Sequence, residues 1–139
     1  MKIIDNLRDG CKILKNNSIS SYKIDSEILM SQTLEISREE LILNLEKKVN
    51  LKEKEKYYNF INRRKKNEPI AYIISNKSFW RDKFIIDKNV LIPRPDSEHL
   101  VEQTLKLIKK KQIKKILDIG VGSGCLTISI LKERPYCKC

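Results

Sequence analysis

Three of the chain's four glycines, Gly120, Gly122 and Gly124, fall together directly after the short apolar run Lys115-Ile116-Leu117-Asp118-Ile119. Directly after them comes Cys125-Leu126-Thr127-Ile128-Ser129-Ile130-Leu131-Lys132-Glu133. Glycine lacks a Cβ, so such a cluster lets the main chain take conformations closed to other residues and lets a ligand approach the backbone. The pattern predicts a strand, a tight loop and a helix, the opening of an α/β nucleotide-type fold. A strand that turns through glycines into a helix aims free amides and the positive end of the helix dipole at one spot, which suits an anionic group. A glycine-rich connection that holds no ligand is the plain alternative.

Upstream the chain has a different character. Ile4, Leu7, Cys11 and Leu14 recur at spacings of three and four and predict a helix ending near Asn16-Asn17-Ser18. Residues 22–30 predict a second helix with Ile24 and Ile28 inward. Ser37-Arg38-Glu39-Glu40 matches a capping box, and Asn50-Leu51-Lys52-Glu53 is a looser cap opening a helix with Tyr57, Tyr58 and Ile61 inward. Glu68-Pro69 stops or resets that helix. Residues 1–74 therefore read as a bundle of short helices. From Lys77 to Ile92 the apolar residues become aromatic and β-branched, and two or three short strands around Phe79-Trp80, Phe84-Ile85-Ile86 and Val90-Leu91-Ile92 are expected. After Pro93-Arg94-Pro95, Asp96 or Ser97 is expected to cap a helix carrying Leu100, Val101, Leu105 and Ile108 inward, with Lys109-Lys110-Lys111 at its negative end.

Charge and cysteine content narrow the class only a little. Lys and Arg number 29 against 18 Asp and Glu, a net charge of +11, yet Lys, Ile and Asn are abundant together, so the charge says little about nucleic acid. No apolar run reaches the ~18 residues of a membrane span, and the charged N-terminus is unlike a signal peptide, so a cytoplasmic location and no membrane partner are expected. Cys11, Cys125, Cys137 and Cys139 lack paired C-x-x-C spacing, and no metal site is expected. His99 is the single histidine and reads as a surface helix residue. Arg63 to Lys66 reads as a solvated helix end, and Trp80 as an anchor of the hairpin against the bundle.

Spacing separates the loop types that end a strand in glycines. No Lys follows any of the three, which excludes a phosphate loop of the G-x-x-x-x-G-K-[ST] kind. A dinucleotide fingerprint needs Gly or Ala where Cys125 stands. The remaining G-x-G-x-G preceded by Asp118 resembles motif I of S-adenosylmethionine-dependent methyltransferases, in which the loop amides receive the methionine part of the cofactor.

The wider pattern is more specific. Arg63-Arg64-Lys65, Glu68-Pro69-Ile70-Ala71-Tyr72-Ile73, Phe79-Trp80, Leu91-Ile92-Pro93-Arg94-Pro95-Asp96-Ser97-Glu98 with Val101-Glu102, and Ile116-Leu117-Asp118-Ile119-Gly120 together resemble the release factor glutamine methyltransferase family. Asp25-Ser26-Glu27-Ile28-Leu29 resembles the second helix of that family's N-terminal bundle, whereas Val121 stands where the family usually has Thr. The resemblance implies an α + α/β chain: a helical substrate-recognition domain over 1–74, a β-hairpin linker over 75–92, and over 93–139 the first strand-loop-helix of an incomplete Rossmann-like methyltransferase domain. It implies S-adenosylmethionine as cofactor, held by Asp118, Gly120, Val121, Gly122, Ser123 and Gly124, with Arg94 and Glu98 near the mouth of that site. It implies N5-methylation of the glutamine in the Gly-Gly-Gln motif of a peptide chain release factor, with nucleic acid met only through the ribosome, by a monomer.

The family's catalytic Asn-Pro-Pro-Tyr loop and the acidic residue expected to hold the cofactor ribose are not found in the 139 residues. The expectation is a chain truncated after motif I that lacks turnover, because a doubly wound sheet needs further βαβ units of ~30 residues each. Two alternatives stand beside this reading: a paralogue that methylates a ribosomal protein's glutamine, and a non-catalytic basic helical module that binds a release factor or RNA.

Overall fold

The computed structural model describes residues 1–139, which divide into two compact units, Met1–Ile74 and Ser75–Cys139. The chain thus runs from an N-terminal helical bundle through a β-hairpin to a strand-loop-helix corner. No helix is long and apolar enough to cross a membrane.

The first unit contains α1 (Ile3–Asn16), α2 (Tyr22–Leu34), α3 (Arg38–Leu43), α4 (Leu51–Arg64) and the single turn α5 (Ile70–Ile73). At the starts of α3 and α4 side chains satisfy free helix amides. Asn50 and Glu53 bond each other's backbone N–H across the first turn of α4, at 2.9 and 2.8 Å. The Ser37 hydroxyl accepts from the Glu40 N–H at the start of α3. At the start of α1 the carbonyls of Lys47 and Leu45 take the Ile3 and Ile4 amides. The core holds Ile3, Leu14, Ile19, Leu29, Met30, Leu41, Val49, Tyr57, Ile61 and Ile73.

Two helix faces differ from the apolar periodicity. The buried face of α1 is Ile3, Asn6, Gly10 and Leu14, so Ile4, Leu7 and Cys11 lie on its flank. In α2 the buried set is Asp25, Ser26, Leu29, Met30, Ser31 and Thr33, whereas Ile24 stays 45% exposed. The cause is polar pairing across helices. The Ser26 and Tyr57 hydroxyls bond at 2.6 Å, and Arg64 Nε donates to the buried Asp25 carboxylate at 2.7 Å. Burial pushes the Tyr57 phenol well above its usual range, and burial beside Asp9 pushes Tyr58 up to about 12.

The basic end of α4 is a structural corner more than a solvated patch. Arg63 grips the Glu68 carboxylate through Nε and Nη2 and also donates to the carbonyls of Tyr72 and Ile73. Arg64 adds a bond to the Glu68 carbonyl. These bonds hold the turn that contains Pro69, whose ring sets the start of α5.

The second unit opens with a two-stranded antiparallel hairpin, β1 (Asn76–Phe79) and β2 (Asp82–Ile85), in the register Asn76↔Ile85 and Phe79↔Asp82. Trp80 and Arg81 form its two-residue turn, with Trp80 at φ 56°. The stretch Val90-Leu91-Ile92 does not pair as a third strand; it leads through Pro93 and Pro95 into α6 (Ser97–Lys111). Asp96 occupies the cap position of α6 without a side-chain bond to it. Val101 and Ile108 are buried, while Leu100 is 55% exposed, against expectation. The run Lys115–Ile119 lies beside the chain's last residues in parallel fashion, through one bridge, Lys115↔Lys138. With so short a neighbour, Leu117 and Ile119 remain 83% and 88% exposed. The helix α7 (Cys125–Glu133) completes the unit and packs on α6.

Two outcomes test this account. A Cβ placed on Gly10 lies 2.0 Å from the Tyr57 hydroxyl and 3.0 Å from the Ser26 hydroxyl. Gly10→Ala is therefore expected to destabilise the chain by about 2 kcal/mol in urea unfolding, although Ala inside a helix ordinarily stabilises by about 1 kcal/mol. Adding Tyr57→Phe is expected to restore part of the loss. The Arg63 guanidinium holds the Glu68 carboxyl below its ordinary 4.5, so the unfolded chain binds the proton more readily. That stability is present above pH 4.5 and lost as pH falls through the lower folded value. Glu68→Gln is expected to flatten the stability profile in that acidic window, as followed by denaturation at stepped pH.

Candidate functional site

The loop between Ile119 and Cys125 owes its shape to three left-handed residues: Gly120 at φ 87°, Gly122 at φ 57° and Gly124 at φ 75°. For residues with a Cβ, that conformation costs roughly 1–2 kcal/mol each. The backbone closes on itself once, where the Gly124 N–H donates to the Val121 carbonyl at 2.9 Å. Gly124 then caps α7, and its carbonyl accepts from Ile128. The amides of Gly120, Val121, Gly122 and Ser123 find no acceptor within the chain. The Ser123 hydroxyl accepts from Cys125 N–H at 3.4 Å.

These free amides border a cavity of about 170 Å³, whose wall on the other side is the segment leading into α6. Leu91, Ile92, Pro93, Arg94 and Ser97 line that side, and Gly120, Val121, Gly122 and Ser123 line the loop side. Of the residues expected in a site, Arg94 and four loop positions thus come together. Asp118 does not line this cavity. Its carboxylate accepts from the Thr127 hydroxyl, which ties the end of the apolar run to α7. Gly124 lies buried behind the loop, where an added Cβ meets the Ile128 side chain at 3.1 Å.

Glu98 also lies away from the cavity. Its Oε1 accepts from the Trp80 backbone N–H at 2.8 Å, while the Trp80 indole donates to Glu133 at 3.0 Å. Arg81 pairs with the same Glu133 carboxylate at 2.9 Å. Trp80, expected against the helical bundle, is therefore held by two carboxylates of its own unit, one on α6 and one on α7. The left-handed backbone at Trp80 is that of the first central residue of a two-residue hairpin turn. No group of His, Cys, Asp or Glu side chains gathers in a metal-binding arrangement.

Along the chain a helical unit is followed by a hairpin and a glycine-loop corner, with free amides beside a Pro-Arg-Pro segment. Residues 5–74 match the family model described as the PrmC N-terminal domain. The chain is 42% identical over 130 residues to the release factor glutamine methyltransferase of Clostridium botulinum, covering 94% of this chain and 46% of that protein. It is 40% identical over 133 residues to the release factor glutamine methyltransferase of Leptospira interrogans, covering 95% and 46%. A bifunctional methyltransferase of Rickettsia bellii matches at 34% over 155 residues, 93% of this chain and 28% of that protein. The chain belongs to the release factor glutamine methyltransferase family. It spans about half the length of the first two relatives.

Trp80 is the chain's single tryptophan and reports on the turn it occupies. Glu98→Ala removes a charged acceptor and is expected to cost about 1.5 kcal/mol and to shift Trp80 emission. Glu98→Gln keeps an acceptor and is expected to show less of both.

Proposed function

We propose that these residues supply the substrate-gripping and cofactor-cradling parts of a protein-glutamine methyltransferase. Residues 1–74 are the helical domain that recognises a peptide chain release factor, 75–92 the hairpin linker, and 93–139 the start of the S-adenosylmethionine-binding domain. The observation that carries the reading is the row of four unpartnered amides, Gly120 to Ser123, facing a cavity beside Pro93-Arg94. Backbone N–H groups at the start of a helix favour a negatively charged group.

The cavity fits one end of such a cofactor. At about 170 Å³ it falls below the ~300–1,000 Å³ of pockets that enclose a whole drug-sized ligand, so the loop holds the amino-acid end while the remainder needs further walls. The bound cofactor supplies a methyl group on a sulfonium centre. In this chain the Gly120–Ser123 amides orient the amino-acid end, Asp118 fixes the loop through Thr127, and Gly124 starts α7 beneath it. Holding reactants in one geometry can supply about 7–11 kcal/mol of a reaction barrier. Membership of the family and the names of the relatives from Clostridium botulinum and Leptospira interrogans support a release factor as the protein substrate.

Amide NMR of the isotope-labelled chain, titrated with S-adenosylmethionine at millimolar concentration, tests the reading. Shifts concentrated at Gly120, Val121, Gly122 and Ser123 are the expected outcome, and a spectrum unchanged at those four amides would sink the proposal. A polypeptide of these 139 residues is expected to bind without transferring the methyl, since Asn-Pro-Pro-Tyr is not among them.

A further inference from the structure

We infer that the groove between α1, α2 and α3 receives an acidic amphipathic helix from a protein partner, with its apolar stripe on the groove's apolar side chains and its carboxylates on Arg8 and Lys23. The inference goes beyond the recognition role given above to residues 1–74, which names no surface and no contact chemistry, and it does not draw on the cofactor cavity of the second unit.

Helix α1 carries two apolar stripes. Ile3 and Leu14 are buried with Asn6 and Gly10 on its core face, whereas Ile4, Leu7 and Cys11 line a groove of about 620 Å³ on its flank. Leu41, Ile42 and Leu45, from α3 and the turn after it, line the same groove, and Ile42 stays 56% exposed. Residues at i, i+3 and i+7 hold one face of a helix for two turns, about 10 Å at a rise of roughly 1.5 Å per residue. A groove of that length among helices suits the apolar face of another helix, whose anchors recur at the same spacing. Its walls are fixed beforehand. The Leu45 carbonyl accepts from the Ile4 N–H at 3.0 Å, and Arg38 Nη2 donates to Glu27 at 2.6 Å, which ties α3 to α2.

The charged side chains that line the groove are Arg8, Lys23 and Glu27. Glu27 is taken by Arg38, while Arg8 and Lys23 enter no ion pair. The acids nearest to them are engaged elsewhere: Asp5 by the Lys2 N–H, Asp9 by the Tyr58 hydroxyl, Asp25 by Arg64 and Glu46 by Lys2. Glu39 and Glu40 of α3 do not line the groove. The lining thus combines apolar side chains with two cations free of counterions. Charge complementarity steers encounter and rejects like-charged partners, so a second copy of this +11 chain is disfavoured as the occupant. A single-stranded nucleic acid would answer the cations, but its bases stack on aromatic rings, and no aromatic side chain lines the groove. An acidic helix with an apolar stripe answers both features at once.

Fluorescence anisotropy on the 139-residue chain tests the groove with a labelled synthetic helix, which carries leucines at i, i+3 and i+7 and glutamates on the flanking positions. The parent chain is expected to bind this peptide about tenfold more tightly than a shuffled peptide of the same composition. Ile42→Glu, at an exposed position, and the double exchange Arg8→Glu with Lys23→Glu are each expected to weaken binding about tenfold, with circular dichroism as in the parent. A peptide with lysines in place of the glutamates is expected to bind the double variant more tightly than the parent. No binding by the parent, equal binding of the shuffled peptide, or variants that bind like the parent overturns the inference. Full displacement of the peptide by an equal concentration of decanoate assigns the groove to a small apolar anion and overturns it too. Titration of the parent with an intact release factor is the separate check on the recognition role, and its failure leaves the peptide result standing.

Discussion

Where residues 120–124 turn left-handed three times, the backbone gives up its own hydrogen bonds, and the free donors of the second unit follow from that. An ordinary turn folds its amides back onto nearby carbonyls. Here one such bond, from Gly124 to Val121, closes the loop and leaves four consecutive N–H groups without an acceptor. Burying such groups unpaired would be costly, and they remain at the edge of a cavity. The loop is therefore a surface of donors held in place by conformational restriction, with α7 continuing directly behind it.

Around that loop the acidic side chains act as fasteners. Asp118 ties the apolar run to α7, Glu98 ties the hairpin turn to α6, and Glu133 gathers Trp80 and Arg81 onto the end of α7. Each carboxylate is drawn into a structural bond outside the cavity, which is why the cavity's charge is that of Arg94 alone. The division of labour is physical: acids set the frame, and the loop's free amides border the cavity.

The sequence made the loop and the caps legible because their chemistry is local. Gly120, Gly122 and Gly124 mark left-handed backbone, and Asn50 and Ser37 cap the helices they precede. Helix faces were less legible. Apolar spacing placed Ile4, Leu7 and Cys11 inward on α1, but the close approach of Tyr57 selects the face with Gly10. On α2, Asp25 and Ser26 are inside because Arg64 and Tyr57 reach them from α4, partners that no local window contains. Glu98, expected near the cofactor mouth from the family resemblance, accepts a hydrogen bond from the Trp80 amide, a partner eighteen positions away that no local window contains. The run at Lys115–Ile119 has a strand's composition, but a strand needs a neighbour, and one bridge to Lys138 is what it makes.

The Asp25–Arg64 pair carries a consequence for how this helical unit changes over generations. The two residues stand 39 positions apart, and the acid is almost wholly enclosed. An enclosed charge stripped of its counterpart is far more damaging than the loss of both. Drift at either position is thus tethered to the other, and a recombination breakpoint anywhere between them joins an acid from one lineage to whatever base the second lineage supplies. A crossover inside the interval from Asp25 to Arg64 strands an enclosed charge only when the second parent lacks the matching partner.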